Sequence, residues 1–133
     1  MNIHTLKENL TTLHEQLRSL NNGNCVPVYL VAGGAMVMLD IRETTEDIDL
    51  QIPLKFEKFI KTKFFGDVYT EIKYGNNTHI KNGVYDIQFK NISLSGDLTV
   101  QPAHEILKLK LEMNREKDKR DIVLLRGLLN EKV

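Results

Sequence analysis

The sequence predicts an α/β fold in which helices flank a mixed β-sheet of four to five strands. Stretches with helical spacing of apolar residues alternate with short apolar runs and two-residue alternations that are typical of strands. The predicted order, α-β-α-β-α-β-β-β-(β)-α-α, interleaves helices with strands and ends in a run of hairpins, which favours a mixed sheet. A length of 133 residues predicts a single domain spanning 1–133.

The first elements are a helix, a buried strand and a second helix. Five leucines step by four and three residues and form one apolar stripe of a helix within 1–22: Leu6, Leu10, Leu13, Leu17 and Leu20. Asn and Gly residues at 21–24 end it. The apolar run 28–32 predicts a buried strand, Gly33-Gly34 turn the chain, and 35–41 predicts a short helix.

The middle of the chain predicts most of the sheet. Residues 47–52 alternate polar and apolar side chains, as in a half-buried strand, and Pro53 closes it. The pattern between the prolines at 53 and 102 then predicts a helix over 54–65, strands over 68–74, 78–81 and 84–89, and a short edge strand over 98–100. These strands complete a sheet core over 27–100.

Two helices are predicted over 102–130. Pro102 opens the first, which runs to about Asn114, and its expected inner face is Ile106, Leu107 and Leu111. The second covers 117–129, with its apolar residues at helical spacing: Ile122, Leu125 and Leu129.

Composition narrows the classes of function. The chain carries 18 basic and 18 acidic side chains, so bulk binding of DNA through positive charge is not expected. The single cysteine, Cys25, excludes an internal disulfide and a zinc site built from cysteines. No apolar run reaches the roughly 20 residues of a membrane span, and the N-terminus does not read as a signal peptide. The expected location is therefore the cytoplasm, without a membrane partner.

Two neighbouring features are candidates for chemistry. Gly33-Gly34 lie between a buried strand and a helix, where backbone can approach a ligand closely and helix N–H groups favour anions. A tight strand-to-helix turn is the simpler interpretation. Asp47 and Asp49 are spaced to share one face of a strand, and paired carboxylates suit Mg²⁺. The alternative is a solvent-facing strand edge.

A third carboxylate extends this pattern. Asp86 lies between apolar residues on the predicted strand 84–89, although an isolated Asp of this kind is often only a surface residue. If its strand is next to that of Asp47 and Asp49, three carboxylates converge and one can serve as a general base. Residues 40–57 carry a net charge of −4 and residues 103–133 a net charge of +2, so an acidic centre precedes a basic segment.

These residues together resemble the signature of the nucleotidyltransferase superfamily related to DNA polymerase β. The signature is an apolar residue and two small residues (Ala32-Gly33-Gly34), a spacer, an acidic–apolar–acidic stretch (47–49) and a later acidic residue (Asp86). The stretch 42–49 resembles the lead-in of minimal nucleotidyltransferases and AbiE-type toxins. The C-terminal pattern of that group is matched by Lys110, Arg115, Lys117-Asp118 and Asp121-Ile122. The resemblance spans about 27–129 and implies a minimal nucleotidyltransferase fold.

The resemblance also implies roles for individual residues. Gly33 and Gly34 would contact the triphosphate through their N–H groups, and Asp47, Asp49 and Asp86 would bind two Mg²⁺ (or Mn²⁺) ions. Asp86 would also help to deprotonate the acceptor hydroxyl. Nucleotide binding is implied for four further residues: Arg42, Thr45, Lys110 and Arg115. Lys108 is the alternative to Lys110 if the helix is rotated, and Arg115 with Asp118 also suits a simple ion pair between helices.

The implied activity is transfer of NMP from an NTP to a hydroxyl of a tRNA end or a protein side chain, in a toxin–antitoxin or phage-defence setting. The C-terminal region is short, which suggests that a partner protein or a second copy completes the site. Two alternatives remain open: a catalytically silent nucleotide- or protein-binding module on the same fold, and a small-molecule (antibiotic) nucleotidyltransferase.

Overall fold

The structure, a computed structural model, describes residues 1–56, 80–81, 84–85, 87–90, 92, 94 and 96–131. In this part of the chain the α-helices are α1 (Ile3–Leu20), α2 (Ala32–Met38), α3 (Ala103–Met113) and α4 (Lys119–Glu131). The strands are β1 (Val28–Val31), β2 (Asp49–Pro53), β3 (Ile80–Lys81), β4 (Val84–Tyr85), β5 (Ile87–Lys90) and β6 (Leu98–Val100). The predicted α/β class is confirmed.

The main sheet is mixed and has the order β5-β2-β1-β6. β1 runs antiparallel to β2, with Val31 opposite Asp49, and parallel to β6, with Val28 opposite Leu98. β2 runs parallel to β5, with Leu50 opposite Ile87. β3 and β4 form a separate antiparallel pair. The C-terminal end of β1, at Val31, and the N-terminal end of β2, at Asp49, therefore lie side by side at the same end of the sheet.

Helix α1 follows the predicted leucine stripe. The Asn2 side chain accepts a hydrogen bond from the Thr5 N–H at 3.0 Å, which caps the helix start. Asn22 and Gly23 adopt left-handed backbone conformations just after its end. Four of the five leucines are buried and Leu20 is half-buried. Burial of such a side chain stabilises the fold by about 1.5–3 kcal/mol, so this stripe attaches α1 firmly.

The core lies between α1, α2 and the two central strands. Its largest fully buried side chains come from these elements, from Ile48 just before β2 and from the C-terminal helices: Leu6, Leu13, Leu17, Leu30, Met36, Ile48, Leu50, Ile52, Ile106 and Leu125. The central strands are therefore packed against helices through their apolar side chains. The polar residue at the start of β2, Asp49, lies outside this core.

Two element boundaries near the sheet edge differ from the prediction. Helix α2 begins at Ala32 rather than at residue 35, because Ala32 takes a left-handed conformation (φ 57°) that turns the chain out of β1. β2 begins at Asp49 rather than at residue 47. The predicted strand start at residue 47 is therefore wrong, since β1 has already turned away and its pairing with β2 begins at Asp49.

The C-terminal helices form where they were predicted, with one face assigned wrongly. Pro102 precedes α3, and Asn114 ends it in a left-handed conformation. Ile106 is buried and Leu107 half-buried, but Leu111 is 43% exposed and Lys110 is buried in its place. The reason is electrostatic: two carboxylates across the helix pair draw Lys110 inward. Helix α4 starts after a 3₁₀ turn (Glu116–Asp118) and buries Leu125.

Part of the predicted middle region lies outside the described residues. The predicted helix 54–65 begins as a 3₁₀ turn at Leu54–Phe56, and its remainder, the strand 68–74 and Asp86 fall outside. The predicted strand 84–89 corresponds to β4 and β5, which belong to different sheets. Among the helices that are described, none has the length and apolar character needed to cross a membrane.

Candidate functional site

A polar cleft of about 370 Å³ lies between the segment that follows α2 and the α3–α4 pair. Its walls come from three separate parts of the chain: the turn after β1, residues 42–49, and residues 110–121. The lining residues are Gly33, Arg42, Thr44, Thr45, Glu46, Asp47, Asp49, Lys110, Arg115, Lys117, Asp118 and Asp121. Most of these side chains are charged, so the cleft suits a strongly charged ligand rather than an apolar one.

Seven of the nine residues to which the resemblance assigns a catalytic, metal-binding or nucleotide-binding role line this cleft: Gly33, Arg42, Thr45, Asp47, Asp49, Lys110 and Arg115. Gly34 is buried one residue beyond the cleft wall. Asp86 lies outside the described residues. Lys108, the alternative to Lys110, is exposed and is not among the residues that line the cleft.

Gly33 lies in close contact with the acidic segment. A Cβ atom at this position would come within 2.7 Å of Thr45 Oγ1 and 3.0 Å of Arg42 Nη1, so only glycine fits without displacing them. Gly34 has a different neighbour, because a Cβ there would meet Leu30 Cδ1 at 2.9 Å. Gly33 therefore brings backbone to the cleft wall, while Gly34 lets α2 pack closely on β1.

The two aspartates reach the cleft from different structures. Asp49 is the first residue of β2, and Asp47 lies in the preceding segment, where the Thr45 hydroxyl donates a 3.0 Å hydrogen bond to the Asp47 carbonyl. Both residues are half-buried, and Ile48 between them is buried in the core. Anchoring by Ile48 and Thr45 therefore fixes the backbone that carries both carboxylates.

Asp47 and Asp49 supply hard oxygen ligands of the kind that Mg²⁺ and Mn²⁺ prefer. No group of three His, Cys, Asp or Glu side chains with metal-binding geometry is found among the residues that the structure describes. The two carboxylates in the cleft are therefore ligands of the type that a divalent cation takes.

The opposite wall of the cleft is a cluster of ion pairs. Lys110 Nζ lies 3.1 Å from Asp118 Oδ1 and 3.2 Å from Asp121 Oδ2. Arg115 Nε donates to Asp118 Oδ2 at 2.6 Å, and Arg42 Nη1 lies 3.8 Å from Asp121 Oδ2. The Arg115–Asp118 ion pair that the sequence left open is thus present, and both partners also line the cleft.

Asp118 is the most strongly enclosed member of this cluster, with only 2% of its surface exposed. Hydrogen bonds from Arg115 and then from Lys110 hold its pKa below the ordinary value, against the opposing effect of burial. Asp118 is therefore ionised at neutral pH and fixes both cations at the cleft wall.

A second cavity of about 430 Å³ adjoins the cleft and shares Asp49, Lys110 and Arg115 with it. It is less polar, because Val31, Ile106, Leu109 and Met113 form part of its wall. Ala32 lines this second cavity and Gly33 lines the cleft, so the turn at these two residues separates the two spaces.

Sequence reasoning missed a buried polar network beside this turn. Gln101 Oε1 accepts from the Ala32 N–H at 3.0 Å, and Gln101 Nε2 donates to Glu105 Oε1 at 3.4 Å. The Tyr29 hydroxyl donates to Glu105 Oε2 at 2.9 Å. These three side chains belong to no spaced motif, so the only signal in the sequence was a tyrosine within an otherwise apolar strand.

Comparison with known protein families, curated proteins and solved structures gives no match for this chain.

The chemistry available in the cleft follows from its two walls. Half-buried carboxylates on one side can hold a divalent cation, and buried or half-buried cations on the other can contact phosphate oxygens. Glycine backbone lies between them at the cleft wall. Such an arrangement suits a metal-bound polyphosphate better than a neutral metabolite.

Proposed function

We propose that this protein is a nucleotidyltransferase of the minimal type, which transfers NMP from an NTP to a hydroxyl group. The observation that carries the proposal is the convergence of seven predicted residues, from three distant segments, on one polar cleft. A chance resemblance in sequence would not require Gly33, Asp47 and Lys110 to line the same cavity. The minimal nucleotidyltransferase fold is part of the same proposal.

The carboxylates of Asp47 and Asp49, with Asp86, are the residues that would hold Mg²⁺ or Mn²⁺. When bound, the metal supplies positive charge that neutralises the triphosphate and the charge that develops during transfer. The fit rests on the half-buried placement of Asp47 and Asp49 in the cleft.

The protein's own cations and backbone orient the nucleotide. Lys110 and Arg115 from the α3–α4 pair, and Arg42 from the segment before β2, line the same cleft as the aspartates and would contact phosphate oxygens. The Gly33 backbone would approach the same phosphates, and Thr45 would keep the acidic segment in place through its bond to Asp47. Together these groups would align the α-phosphate with an incoming hydroxyl.

The reaction is an in-line displacement at the α-phosphorus. The acceptor oxygen forms a bond to that phosphorus, and the bond from it to the bridging β-phosphate oxygen breaks, so pyrophosphate leaves. The hydroxyl proton passes to the Asp86 carboxylate, which acts as general base. The expected acceptor is a tRNA end or a protein side chain, the expected location is the cytoplasm, and a partner protein or second copy would complete acceptor binding in a toxin–antitoxin setting.

Transfer of label from α-labelled NTPs to total tRNA and to protein, with Mg²⁺ present, tests the proposal directly. We expect label from the α position to be transferred and label from the γ position to be released. Asp47→Asn and Asp49→Asn should each reduce transfer by at least about 100-fold, because each removes a ligand charge at the reacting phosphate. Asp40→Asn is the matched control, since Asp40 is exposed and lines neither cavity. Equal activity in all three variants would contradict the proposal.

A catalytically silent binding module is the second candidate, and one observation favours it. Lys110 is held by two carboxylates of the chain itself, Asp118 and Asp121. In that case the chain would bind Mg²⁺ and NTP, and the Asp47→Asn variant would lose this binding, but no acceptor would be labelled. The same assay therefore separates the two candidates.

A further inference from the structure

The turn between β1 and α2 depends on contacts from outside itself. Ala32 has φ 57°, a left-handed conformation that costs a non-glycine residue about 1–2 kcal/mol. Val31, at the N-cap of α2, has an apolar side chain and cannot cap the helix. A strained conformation of this kind persists only where the surrounding structure imposes it.

Gln101 supplies that constraint from two directions. Its backbone N–H donates to the Leu30 carbonyl at 2.8 Å, and its side-chain Oε1 accepts from the Ala32 N–H at 3.0 Å. One residue therefore bonds to the chain on both sides of Val31. Gln101 is only 2% exposed, so water does not compete with these bonds.

Glu105 and Tyr29 determine how the Gln101 amide is oriented. Gln101 Nε2 faces Glu105 Oε1, and Glu105 Oε2 accepts from the Tyr29 hydroxyl. A carboxylate can only accept, so the amide nitrogen must point to Glu105 and the amide oxygen to Ala32. Burial and the bond to Glu105 raise the pKa of Tyr29 to about 12, which keeps the hydroxyl a donor at neutral pH.

The side of the turn that faces the cleft is also held by close contacts. Gly33 has no room for a Cβ atom between itself and the side chains of Thr45 and Arg42. The turn is thus held by Gln101 on the side of the less polar cavity and by Thr45 and Arg42 on the side of the cleft. A change in the Gln101 bond would move Gly33 relative to the cleft.

We propose that Gln101, oriented by Glu105 and Tyr29, is a positioning residue that fixes the Ala32–Gly33 turn where its backbone meets the phosphates of the nucleotide. This inference rests on the proposed function, because it assigns the turn to the nucleotide of that reaction. Gln101 itself touches Ala32 rather than substrate. Its loss should weaken ground-state and transition-state binding alike, so KM for the NTP should rise while kcat changes little.

The sharpest test reverses the donor and acceptor of one hydrogen bond and then restores it. Gln101→Glu keeps an acceptor for Ala32 but places a second carboxylate against Glu105, so KM for the NTP should rise about tenfold. Adding Glu105→Gln returns one donor and one acceptor to the pair and still leaves an oxygen for Tyr29. We expect KM in this double variant to recover to within about threefold of the wild type.

Three further measurements separate positioning from loss of folding. Gln16→Glu makes the same chemical change on the exposed face of α1 and should leave KM unchanged. Tyr29→Phe removes only the hydroxyl and should raise KM about threefold, which keeps the test available if Gln101→Glu folds poorly. Hydrogen exchange at the Ala32 amide should accelerate in Gln101→Glu and slow again in the double variant.

The outcomes distinguish the inference from the proposed function. Unchanged KM in Gln101→Glu, or a double variant as impaired as the single one at the same melting temperature, would overturn the positioning role while transfer by the wild type stands. A wild-type chain that binds no NTP would overturn the proposed function and with it the contact of this turn with phosphate, whatever the exchange at Ala32.

Discussion

At the scale of single residues, Gly33 is a position in the cleft where a side chain does not fit without displacing its neighbours. Its contacts with Thr45 and Arg42 leave less space than a methyl group needs. Thr45 in turn bonds to the Asp47 carbonyl, so a displacement at Gly33 passes to the segment that carries an aspartate of the candidate site.

Gly33→Ala should therefore reduce both stability and nucleotide binding. We expect a loss of about 1–3 kcal/mol in the free energy of unfolding, because the added methyl group forces neighbouring groups to shift. Urea unfolding and NTP titration would measure the two effects. Gly127→Ala is the matched control: nothing lies within 4 Å of its added Cβ, and on helix α4 it should stabilise by about 0.5–1 kcal/mol. Equal behaviour of the two variants would contradict the close contact at Gly33.

The glycine and aspartates of the cleft could be predicted from the sequence because they stand in short motifs, whereas the residues of the Gln101–Glu105–Tyr29 network could not. Gly33, Asp47 and Asp49 stand in short patterns that sequence reasoning detects, and the structure places all three on one cleft. Gln101 and Tyr29 meet across about 70 residues of chain through Glu105. A buried glutamine has no characteristic spacing, so its partners are visible only when the fold is known.

At the scale of elements, α3 and α4 are joined by buried charges as well as by apolar packing. Lys110 on α3 is held by Asp118, in the 3₁₀ turn before α4, and by Asp121 in the first turn of α4. Helical periodicity on α3 predicted Leu111 on the inner face, yet Leu111 is exposed and Lys110 is buried. Helical periodicity predicts which side of a helix is buried, but not which residues at the margin of that side are buried. On α3 the ion pairs with Asp118 and Asp121 decide this in favour of Lys110.

The ion pairs of Asp118 between α3 and α4 make the stability of the fold sensitive to acid. The native pKa of Asp118 lies below that of an unfolded aspartate, which is about 3.9, so ionised Asp118 stabilises the fold fully above about pH 5. That contribution is lost as the pH falls through the native pKa.

Asp118→Asn should cost about 2–4 kcal/mol at pH 7, since it removes the carboxylate that Arg115 pairs with and leaves Lys110 with Asp121 alone. The difference from the wild type should shrink below about pH 4, where the carboxylate of the unfolded wild type takes up protons, and should continue to shrink through the lower native pKa. Urea unfolding at pH 7, 5, 4 and 3 measures it, with exposed Asp40→Asn as the control. A difference that stays constant down to pH 3 would contradict this assignment.

At the scale of the whole molecule, the equal numbers of acidic and basic side chains hide a division across the cleft. Asp47 and Asp49 come to the cleft from residues 42–49, and Lys110 and Arg115 come from residues 110–121. The sequence predicted this division as an acidic centre followed by a basic segment. It could not predict the sheet order that brings the segments together, because pairing of β1 with β6 joins residues far apart in the chain.

Binding of a nucleotide with its metal should therefore stabilise the entire fold. At an Mg²⁺·NTP concentration about 100 times the Kd, the free energy of unfolding should increase by about 2.7 kcal/mol, and the melting temperature should rise by several degrees. The rise should require Mg²⁺ and disappear in a variant that combines Asp47→Asn with Asp49→Asn. An identical rise with EDTA present would show that the carboxylates do not act through a metal. Inorganic tripolyphosphate in place of NTP measures how much of the effect comes from the phosphates alone.

The position of β1 at the centre of the sheet also governs how the chain acquires its structure during synthesis. Val28 pairs with Leu98, about 70 residues later, so β1 lacks one of its two neighbours until most of the polypeptide has been made. Pairings between such distant residues form slowly, because a long loop must close first. During that interval the leucine stripe of α1 and the apolar side chains of β1 remain incompletely covered. The nascent chain is then most exposed to aggregation and to capture by chaperones, and β6 is the strand that completes the pairing of β1.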